Sequence, residues 1–549
     1  MAAFSWLNDD ARTFLRRGYL LPGVSPEQRI RQIADRAEAV LGMDGFADRF
    51  YDYMGRGYYS LASPVWANFG LDRGLPISCY GSYIGDSMAS ILDAHAEVGM
   101  MTKVGGGTSG YFGAIRPRGV PITNNGASNG TYPFAQLFDT IINVVSQGET
   151  RRGHFAGYID IEHDDVEEWL NIQTEGDAIQ TMHYGVVVGD AWMKAMIDGD
   201  TAKRDLWAKV LQARMHTGIP YILFRDNVQR GRPQVYKDQG YNVHASNLCS
   251  EIALPSTADE SFVCCLSSMN ALHFDEWKGT DAVEMLTYFL DAVMQEFIDK
   301  AADIPHMGRA VRFARRHRAI GIGILGWHSY LQSHMIPFAS VEANARSTTL
   351  TQTIKERSYA ASARLAERFG EPAVLDGYGR RNATTMAIAP TKSSSFILGQ
   401  VSPSIEPLKS NYYVQDRAKI KTTYKNPYLM EVLEAKGHNT EAVWEQIALQ
   451  DGSVQHLDIL SDEEKAVFKT FSEISQAAII RQAALRQEHI DQSQSLNLAI
   501  DPKRTPVKAI NQLYIDAWKM GIKSLYYQNS VNAAQQLSRE LLACRACEA

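Results

Sequence analysis

The feature that most limits what this chain can fold into is an alternation, through its middle, of short apolar runs with helix-like stretches. Tyr184-Gly185-Val186-Val187-Val188 and Tyr221-Ile222-Leu223-Phe224 are rich in β-branched and aromatic residues, the pattern of buried strands. Segments such as 282–302 carry apolar residues at helical spacing instead. Strands separated by helices are joined by crossovers, which makes neighbouring strands parallel. The alternation therefore predicts an α/β architecture with a largely parallel sheet. At 549 residues the chain is too long for one ordinary core, although α/β barrels can run large as single domains.

The ends of the chain read differently. Over residues 1–70 the text is helical: Ser25 caps a helix with Pro26 at its first position and Gln28 closing a capping box, and Ile30, Ile33, Ala37, Val40 and Leu41 follow at helical spacing. A polar, less regular stretch covers roughly 408–460, and 509–527 reads as a helix running into a strand. Beyond Asn532 the chain is polar and reads as a mobile tail that ends Cys544-Arg545-Ala546-Cys547-Glu548-Ala549. The expected units are a small helical domain at 1–70, a main α/β domain at 71–531 and a tail at 532–549. Acidic residues appear by position 9 and no apolar run reaches 18 residues, so the expected protein is soluble, cytoplasmic and without a membrane span. A net charge of −7 argues against a coat for nucleic-acid polymers and leaves room for a local phosphate pocket.

Six cysteines are too few for a secreted disulfide scaffold, and they fall at Cys79, Cys249, the adjacent Cys264 and Cys265, and the Cys544-x-x-Cys547 end. The stretch Ser246-Asn247-Leu248-Cys249-Ser250-Glu251 sets an amide, a thiol and a carboxylate at alternate positions. In a strand or extended loop all three would point the same way and form one reaction centre, with the thiol beside a general base. A buried structural Cys is the plainer alternative. If Cys264 and Cys265 lie in a strand they face opposite sides, so one of them is structural. The terminal pair lacks the further ligands of a zinc site and reads better as a dithiol-disulfide couple. Nothing local brings Cys79 to Cys264.

Other motifs carry two readings each. Pro390-Thr391-Lys392-Ser393-Ser394-Ser395 is a hydroxyl cluster before apolar residues, which suits either an anion at a helix N-terminus or ordinary capping. Tyr526-Tyr527 reads as core packing or as a pair of phenols that relays an electron with its proton. The glycine-rich turns 104–110 and 147–153 permit close backbone approach to a ligand. Gly321-x-Gly323-x-x-Gly326 matches a dinucleotide fingerprint by letters, but Arg315-Arg316-His317-Arg318 before it is no buried strand, so it reads as a structural glycine run.

Taken in order, Pro76-Ile77-Ser78-Cys79, Gly85-Asp86-Ser87, Ser246 to Pro255, Cys264-Cys265-Leu266-Ser267, Pro390 to Ser395, Tyr526-Tyr527-Gln528-Asn529 and the Cys-x-x-Cys end resemble the large, catalytic subunit of class I ribonucleotide reductases, from about position 70 onward. The resemblance implies a ten-stranded α/β barrel of two parallel half-sheets, with a central finger loop carrying Cys249 and a small helical domain in front. It implies that Cys249 becomes a transient thiyl radical, that Glu251 is the base on the ribose 3′ hydroxyl and that Asn247 holds the substrate. Cys79 protonates the departing 2′ hydroxyl, and Cys79 with Cys264 supplies two electrons. Cys544 and Cys547 then re-reduce that pair and are themselves reduced by thioredoxin or glutaredoxin. Ser78 with Pro390, Thr391, Lys392, Ser393 and Ser394 is placed for the phosphates of ribonucleoside diphosphates.

Tyr526 and Tyr527 resemble the family's radical relay to a separate small subunit, which holds a metal-containing radical cofactor; the resemblance implies none bound in this chain. Asp86, Arg116 and Arg151 match positions that bind dNTP or ATP effectors at a specificity site of a homodimer. Lys103 and Arg152 depart from the commoner pattern there. With about seventy residues before the Cys79 region, the resemblance implies that an N-terminal ATP-sensing domain is lacking and that dATP does not inhibit through one. The rival reading is an adenosylcobalamin-dependent reductase, which shares the barrel and the cysteines but needs no partner subunit. A glycyl-radical reductase fits less well, because no glycine follows Gly521. A non-catalytic nucleotide-binding regulator has no use for so many reactive thiols.

Overall fold

The computed structural model describes residues 3–147, 151–417, 420–501 and 505–530. Five strands, β1 (Cys79–Tyr83), β2 (Gly107–Tyr111), β3 (His154–Asp160), β4 (His183–Val188) and β5 (Tyr221–Phe224), pair in parallel and in chain order. Their crossovers include the helices Met88–Lys103, Tyr132–Val144 and Thr201–Thr217. The alternation of apolar runs with helices is thus a parallel half-sheet, covered by its own connections.

The second half holds β6 (Phe262–Asn270), β7 (Ile320–Leu325) and β8 (Ser524–Leu525). β7 runs parallel to β6, and single parallel bridges carry the order onward, Ile322 to Met386 and Ile388 to Gln494. Tyr526 N then donates to Leu496 O, next to β8. The halves meet twice, and both times antiparallel: β1 with β6 and β8 with β5. Eight regular strands and two extended segments therefore close the ten-stranded α/β barrel. The two segments are irregular because a side chain takes over part of the ladder: Asp491 accepts from the backbone N–H of Thr385 and of Met386, each at 2.9 Å.

The helix Pro26–Leu41 starts as expected, with Ser25 and Gln28 forming a capping box and Pro26 at its first turn. Its buried face, Ile30, Ile33, Ala34 and Ala37, joins the same apolar core as the barrel. The stretch at 408–460 is more ordered than its polarity suggests. A hairpin of Tyr412–Arg417 and Ile420–Lys425 and the helices Pro427–Ala435, Glu441–Leu449 and Asp462–Val467 follow one another there. Leu429, Leu433, Trp444, Ile447 and Phe468 give this region a small apolar core of its own. The helix Val507–Lys519 leads into β8, and the helix Ala282–Ala301 covers β6 and β7. Among the described residues no helix is long and apolar enough to cross a membrane.

Candidate active site

The stretch 245–255 is neither helix nor strand but a loop threaded through the barrel. It is tied to both halves. Tyr158 on β3 donates its phenol O–H to Asn247 O at 2.8 Å, while Ser493 N donates to Glu251 O at 2.9 Å and Ser524 Oγ to Ser250 O at 2.7 Å. Leu248 beside the tip explains one glycine: a Cβ at Gly107 would lie 3.2 Å from Leu248 Cδ2. The close approach expected of the glycine-rich turn is made by this loop.

Asn247, Cys249 and Glu251 do not share a strand face. The backbone turns at Leu248, Cys249 and Ser250, with Ser250 at φ +65° and its N–H donating to Asn247 O at 3.3 Å. The turn, rather than a shared strand face, brings Asn247 to Glu251, and Asn247 Nδ2 donates to Glu251 Oε1 at 3.0 Å. Cys249 is left at the tip, half-buried. Asn247 Oδ1 accepts from Ile252 N at 3.1 Å, which fixes the amide so that its NH2 faces Glu251 and Cys79, 3.9 Å from Cys79 Sγ.

Cys79 and Cys264 meet. They are directly opposite partners in the antiparallel pairing of β1 with β6, which puts both side chains on one face. Opposed residues have Cα atoms about 4.5–5.5 Å apart, within the span of a disulfide. No disulfide joins the four described cysteines. Cys79 is half-buried, whereas Cys264 is 1% exposed. Burial pushes the Cys264 thiol well up, and a hydrogen bond from Gln492 works against that. Cys265 is also buried, on the strand's other face, and Asp291 of the covering helix is among the charges that push its thiol up after burial. A Cβ on Gly321 of β7 would lie 3.3 Å from Cys264 Sγ and 2.6 Å from Leu266 Cδ2, so the glycine run makes room for the thiol.

Glu251 is 1% exposed. Burial raises its carboxyl to about 7, against the hydrogen bonds from Asn247 and Ser495. A carboxyl that titrates near neutrality with no cation holding it ionised is suited to take up and release a proton. Ser495 Oγ lies 3.0 Å from Glu251 Oε2 and 2.5 Å from Cys249 O. Its single hydrogen serves one of them at a time.

The rings of Tyr526 and Tyr527 meet at a tilt of 53° with centres 4.2 Å apart, and Tyr221 of β5 lies 4.8 Å from Tyr526 and 5.3 Å from Tyr527. Burial pushes the phenols of Tyr221 and Tyr158 well above the usual range, and the Cys249 thiol adds to the rise in both. Phenols held neutral in this way lose a proton whenever they lose an electron. His183 lies 5.9 Å from the Tyr527 ring, and burial lowers its imidazole to about 3, so it stays neutral.

The hydroxyl segment forms the helix Lys392–Ile397, with Thr391 at its start. Thr391 Oγ1 lies 3.0 Å from Ser395 Oγ and accepts from Ser404 N at 2.7 Å. Ser393 is buried, Pro390, Lys392 and Ser394 are half-buried, and Ser394 O accepts from Ser60 Oγ at 3.2 Å. Ser404 Oγ is buried with no hydrogen-bond partner among the described residues, as a site built for a further acceptor or donor would leave it. Ser78 immediately precedes Cys79, and its carbonyl accepts from Gly107 N at 2.7 Å.

Asp86 and Arg116 meet on the surface as an ion pair of 2.8 Å, with Arg116 N also donating to Asp86 Oδ1 at 3.1 Å. The side chain of Arg151, together with Cys544 and Cys547, lies outside the described residues. The sequence reading missed Tyr158, His183, Tyr221, Gln492 and Ser495. The run Gln492-Ser493-Gln494-Ser495 is at most 1% exposed at each residue, although it follows the polar stretch 486–491 and looks like its continuation until the largely apolar 496–500.

The chain matches the ribonucleotide reductase barrel-domain family over residues 77–203, 198–376 and 373–528. The chain belongs to this family. It is 38% identical over 508 residues to a putative ribonucleoside-diphosphate reductase large subunit of Frog virus 3 (isolate Goorha), with 88% of each chain covered. It is 34% identical to the ribonucleoside-diphosphate reductase large subunit of Invertebrate iridescent virus 3, over 92% of this chain and 91% of that one. Among solved structures, the Actinobacillus ureae class Id ribonucleotide reductase alpha subunit superposes with a TM-score of 0.93 at 59% identity, covering 99% of this chain and 100% of that one. The chain is accordingly an enzyme of the ribonucleoside-diphosphate reductase class, a large subunit built on the family's barrel.

Proposed function

We propose that the chain reduces ribonucleoside diphosphates to 2′-deoxyribonucleoside diphosphates by thiyl-radical chemistry. The observation that carries this reading is a loop through the barrel with a thiol at its tip and an amide-carboxylate pair 3.0 Å apart, the amide 3.9 Å from one of two opposed cysteines. Cys249, as a thiyl, takes the 3′ hydrogen. Glu251 takes the 3′ hydroxyl proton while Asn247 holds the sugar. The 2′ hydroxyl leaves as water with a proton from Cys79. Cys79 and Cys264 give two electrons and become a disulfide, their second hydrogen goes to C2′, Glu251 returns its proton to the 3′ oxygen, and Cys249 returns the hydrogen to C3′. Enclosure within the barrel keeps water and stray reductants from the radical.

The oxidant comes from a metal-containing radical cofactor in a separate small subunit, through Tyr527 and Tyr526, with the Tyr221 ring packed beside them. The class Id alpha neighbour supports this route over adenosylcobalamin. Ser78 and Pro390 to Ser394 hold the diphosphate. Cys544 and Cys547, on a tail at 532–549, carry electrons from thioredoxin or glutaredoxin to the 71–531 barrel behind the 1–70 helical domain. A dNTP or ATP effector docks at Asp86 and Arg116, with Arg151 reporting to the active site, in a cytoplasmic homodimer.

The test combines the chain with a metal-loaded small subunit, a dithiol and ribonucleoside diphosphates. Deoxyribonucleotides are expected from the wild type and none from Cys249→Ser. Full activity in that variant, or turnover with adenosylcobalamin alone, overturns the reading. Tyr527→Phe is expected to block turnover while leaving nucleotide binding intact.

A further inference from the structure

Gln492 is fully buried beside Cys264 and has no part in the scheme above. Its Nε2 lies 3.4 Å from Cys264 Sγ, 3.0 Å from Thr384 Oγ1 and 3.1 Å from Ile320 O. Its Oε1 accepts from Ala253 N at 3.3 Å. The amide can sit only this way round, because the reverse sets oxygen against the Ile320 carbonyl and NH2 against the Ala253 N–H. Its backbone is anchored too: Lys523 Nζ donates to the carbonyls of Asp491 and Gln492, each at 2.7 Å. The two Nε2 hydrogens face three acceptors, so a donor on a fixed backbone stands within reach of one sulfur of the pair. The other sulfur, Cys79, is half-buried where Cys264 is 1% exposed, and it is the one open to an incoming group.

We propose that Gln492 fixes the direction in which the Cys79–Cys264 disulfide is re-reduced: an incoming thiolate attacks Cys79 Sγ, and Cys264 leaves as a thiolate received by the Gln492 Nε2–H. The proposal rests on the reading of these two cysteines as the electron-donating pair and deepens it. In the first step the sulfur-sulfur bond breaks, a bond forms between Cys79 and the incoming sulfur, and Cys264 keeps the electron pair. In the second, the other thiolate of the same dithiol attacks its own bound sulfur and releases Cys79 as a thiolate. Both thiolates then take up protons. The dithiol has lost two electrons and the protein has gained them. The polarity follows from the surroundings. A thiolate forming on a fully buried sulfur needs a donor, and a hydrogen bond to a charged group contributes far more than one to a neutral thiol.

The full-length chain, oxidised to the Cys79–Cys264 disulfide, is mixed with a monothiol such as glutathione and acid-quenched. Peptide mass spectrometry, which resolves the tail cysteines separately, is expected to find the adduct on Cys79. An adduct mainly on Cys264 overturns the proposal, and this arm needs no variant. In a second arm, Gln492→Met and Gln492→Glu are compared with wild type for the rate of disulfide reduction by a small dithiol, and both are expected to be slower by about tenfold or more. The Gln492→Glu deficit is expected to shrink as pH falls, because a protonated carboxyl regains a donor, which a packing defect cannot imitate. Cys79, Cys265, Glu251 and Tyr236, the titratable groups among those acting on this sulfur or acted on by it, are common to both chains and cancel in the ratio. Equal rates in all three chains, or a deficit constant with pH, sink the idea. Neither arm needs the small subunit or a nucleotide. Failure of the functional reading shows separately, as a pre-reduced wild type that makes no deoxynucleotide in a single turnover.

Discussion

Glu251 and Asp291 are both buried carboxylates, one on the loop inside the barrel and one on the helix that covers it, and they differ in their cations. Burial pushes Asp291 up, but Arg318 and Arg381 more than offset it and hold the carboxyl below its usual range. Arg318 Nε reaches Asp291 Oδ1 at 2.9 Å, and Arg381 Nε reaches Oδ2 at 2.9 Å. Glu251 receives neutral donors, its own backbone N–H, Asn247 and Ser495, and burial prevails. The same residue chemistry is therefore a permanent charge that pins a helix to the barrel in one place and, in the other, a carboxyl that titrates near neutrality, as the proposed proton carrier must. Pairing decides which.

The comparison is tested hardest by Glu251→Gln. An amide keeps the shape and cannot accept a proton, so activity should fall by about two to four orders of magnitude, read as deoxynucleotide formation with saturating small subunit. The activity of the wild type should rise through about pH 7 as the carboxylate forms, and that limb should be missing from any residual activity of the variant. Asp291→Asn should do the reverse. It leaves Arg318 and Arg381 as buried charges without a counter-charge and should cost about 3–5 kcal/mol of stability, measured by denaturant unfolding. If Asp291→Asn unfolds at the wild-type midpoint, the structural half of the contrast is wrong.

Much of this division was readable before any coordinates, and the failures have a common cause. The runs at 184–188 and 221–224 became β4 and β5, and the 282–302 helix became Ala282–Ala301, because local periodicity reports burial directly. The capping box at Ser25 was legible for the same reason. Cys79 opposite Cys264 was not, since their meeting depends on an antiparallel pairing across 185 positions that no local pattern encodes. Asn247 and Glu251 were found by spacing, yet the turn at Ser250 that joins them defeats the strand periodicity used to find them. Gln492 and Ser495 escaped because a polar run reads as surface unless the groups it must satisfy are known, and those lie on the finger loop and on the barrel's two irregular segments. The resemblance to a family supplied what periodicity could not.

Two smaller effects sharpen the contrast. A carboxyl whose folded value exceeds its unfolded one favours the native state only while protonated. Its contribution is complete below the ordinary value of 4.5 and is lost as pH rises through about 7. The rise corresponds to about 3 kcal/mol, so Glu251→Gln should be more stable than wild type above pH 7 by up to about that amount, with the gap closing toward pH 4. Asp291, held low, has the opposite sign, and its stabilisation should fade only in acid. Denaturant midpoints measured across pH 4–8 separate the two, and an advantage for Glu251→Gln that does not vary with pH would count against the raised carboxyl.

The smallest expected effect belongs to Ser495. Its hydroxyl stands between Glu251 Oε2 and the Cys249 carbonyl and can donate to only one of them. When Glu251 is ionised, donation to the carboxylate stabilises the charge. When Glu251 is protonated, the hydroxyl can donate to Cys249 O and accept a hydrogen bond from the carboxyl O–H. Ser495→Ala removes the first arrangement without adding a charge, so the carboxylate loses a donor and Glu251 should titrate higher. A hydrogen bond of about 0.5–1.5 kcal/mol corresponds to about half a pH unit to one unit, so the rising limb of the activity profile should move up by that much while the plateau changes little. A limb that stays in place would mean that the backbone N–H and Asn247 tune the carboxylate without Ser495. A shift downward would mean that water enters the cavity left by the hydroxyl and solvates Glu251 better than Ser495 does.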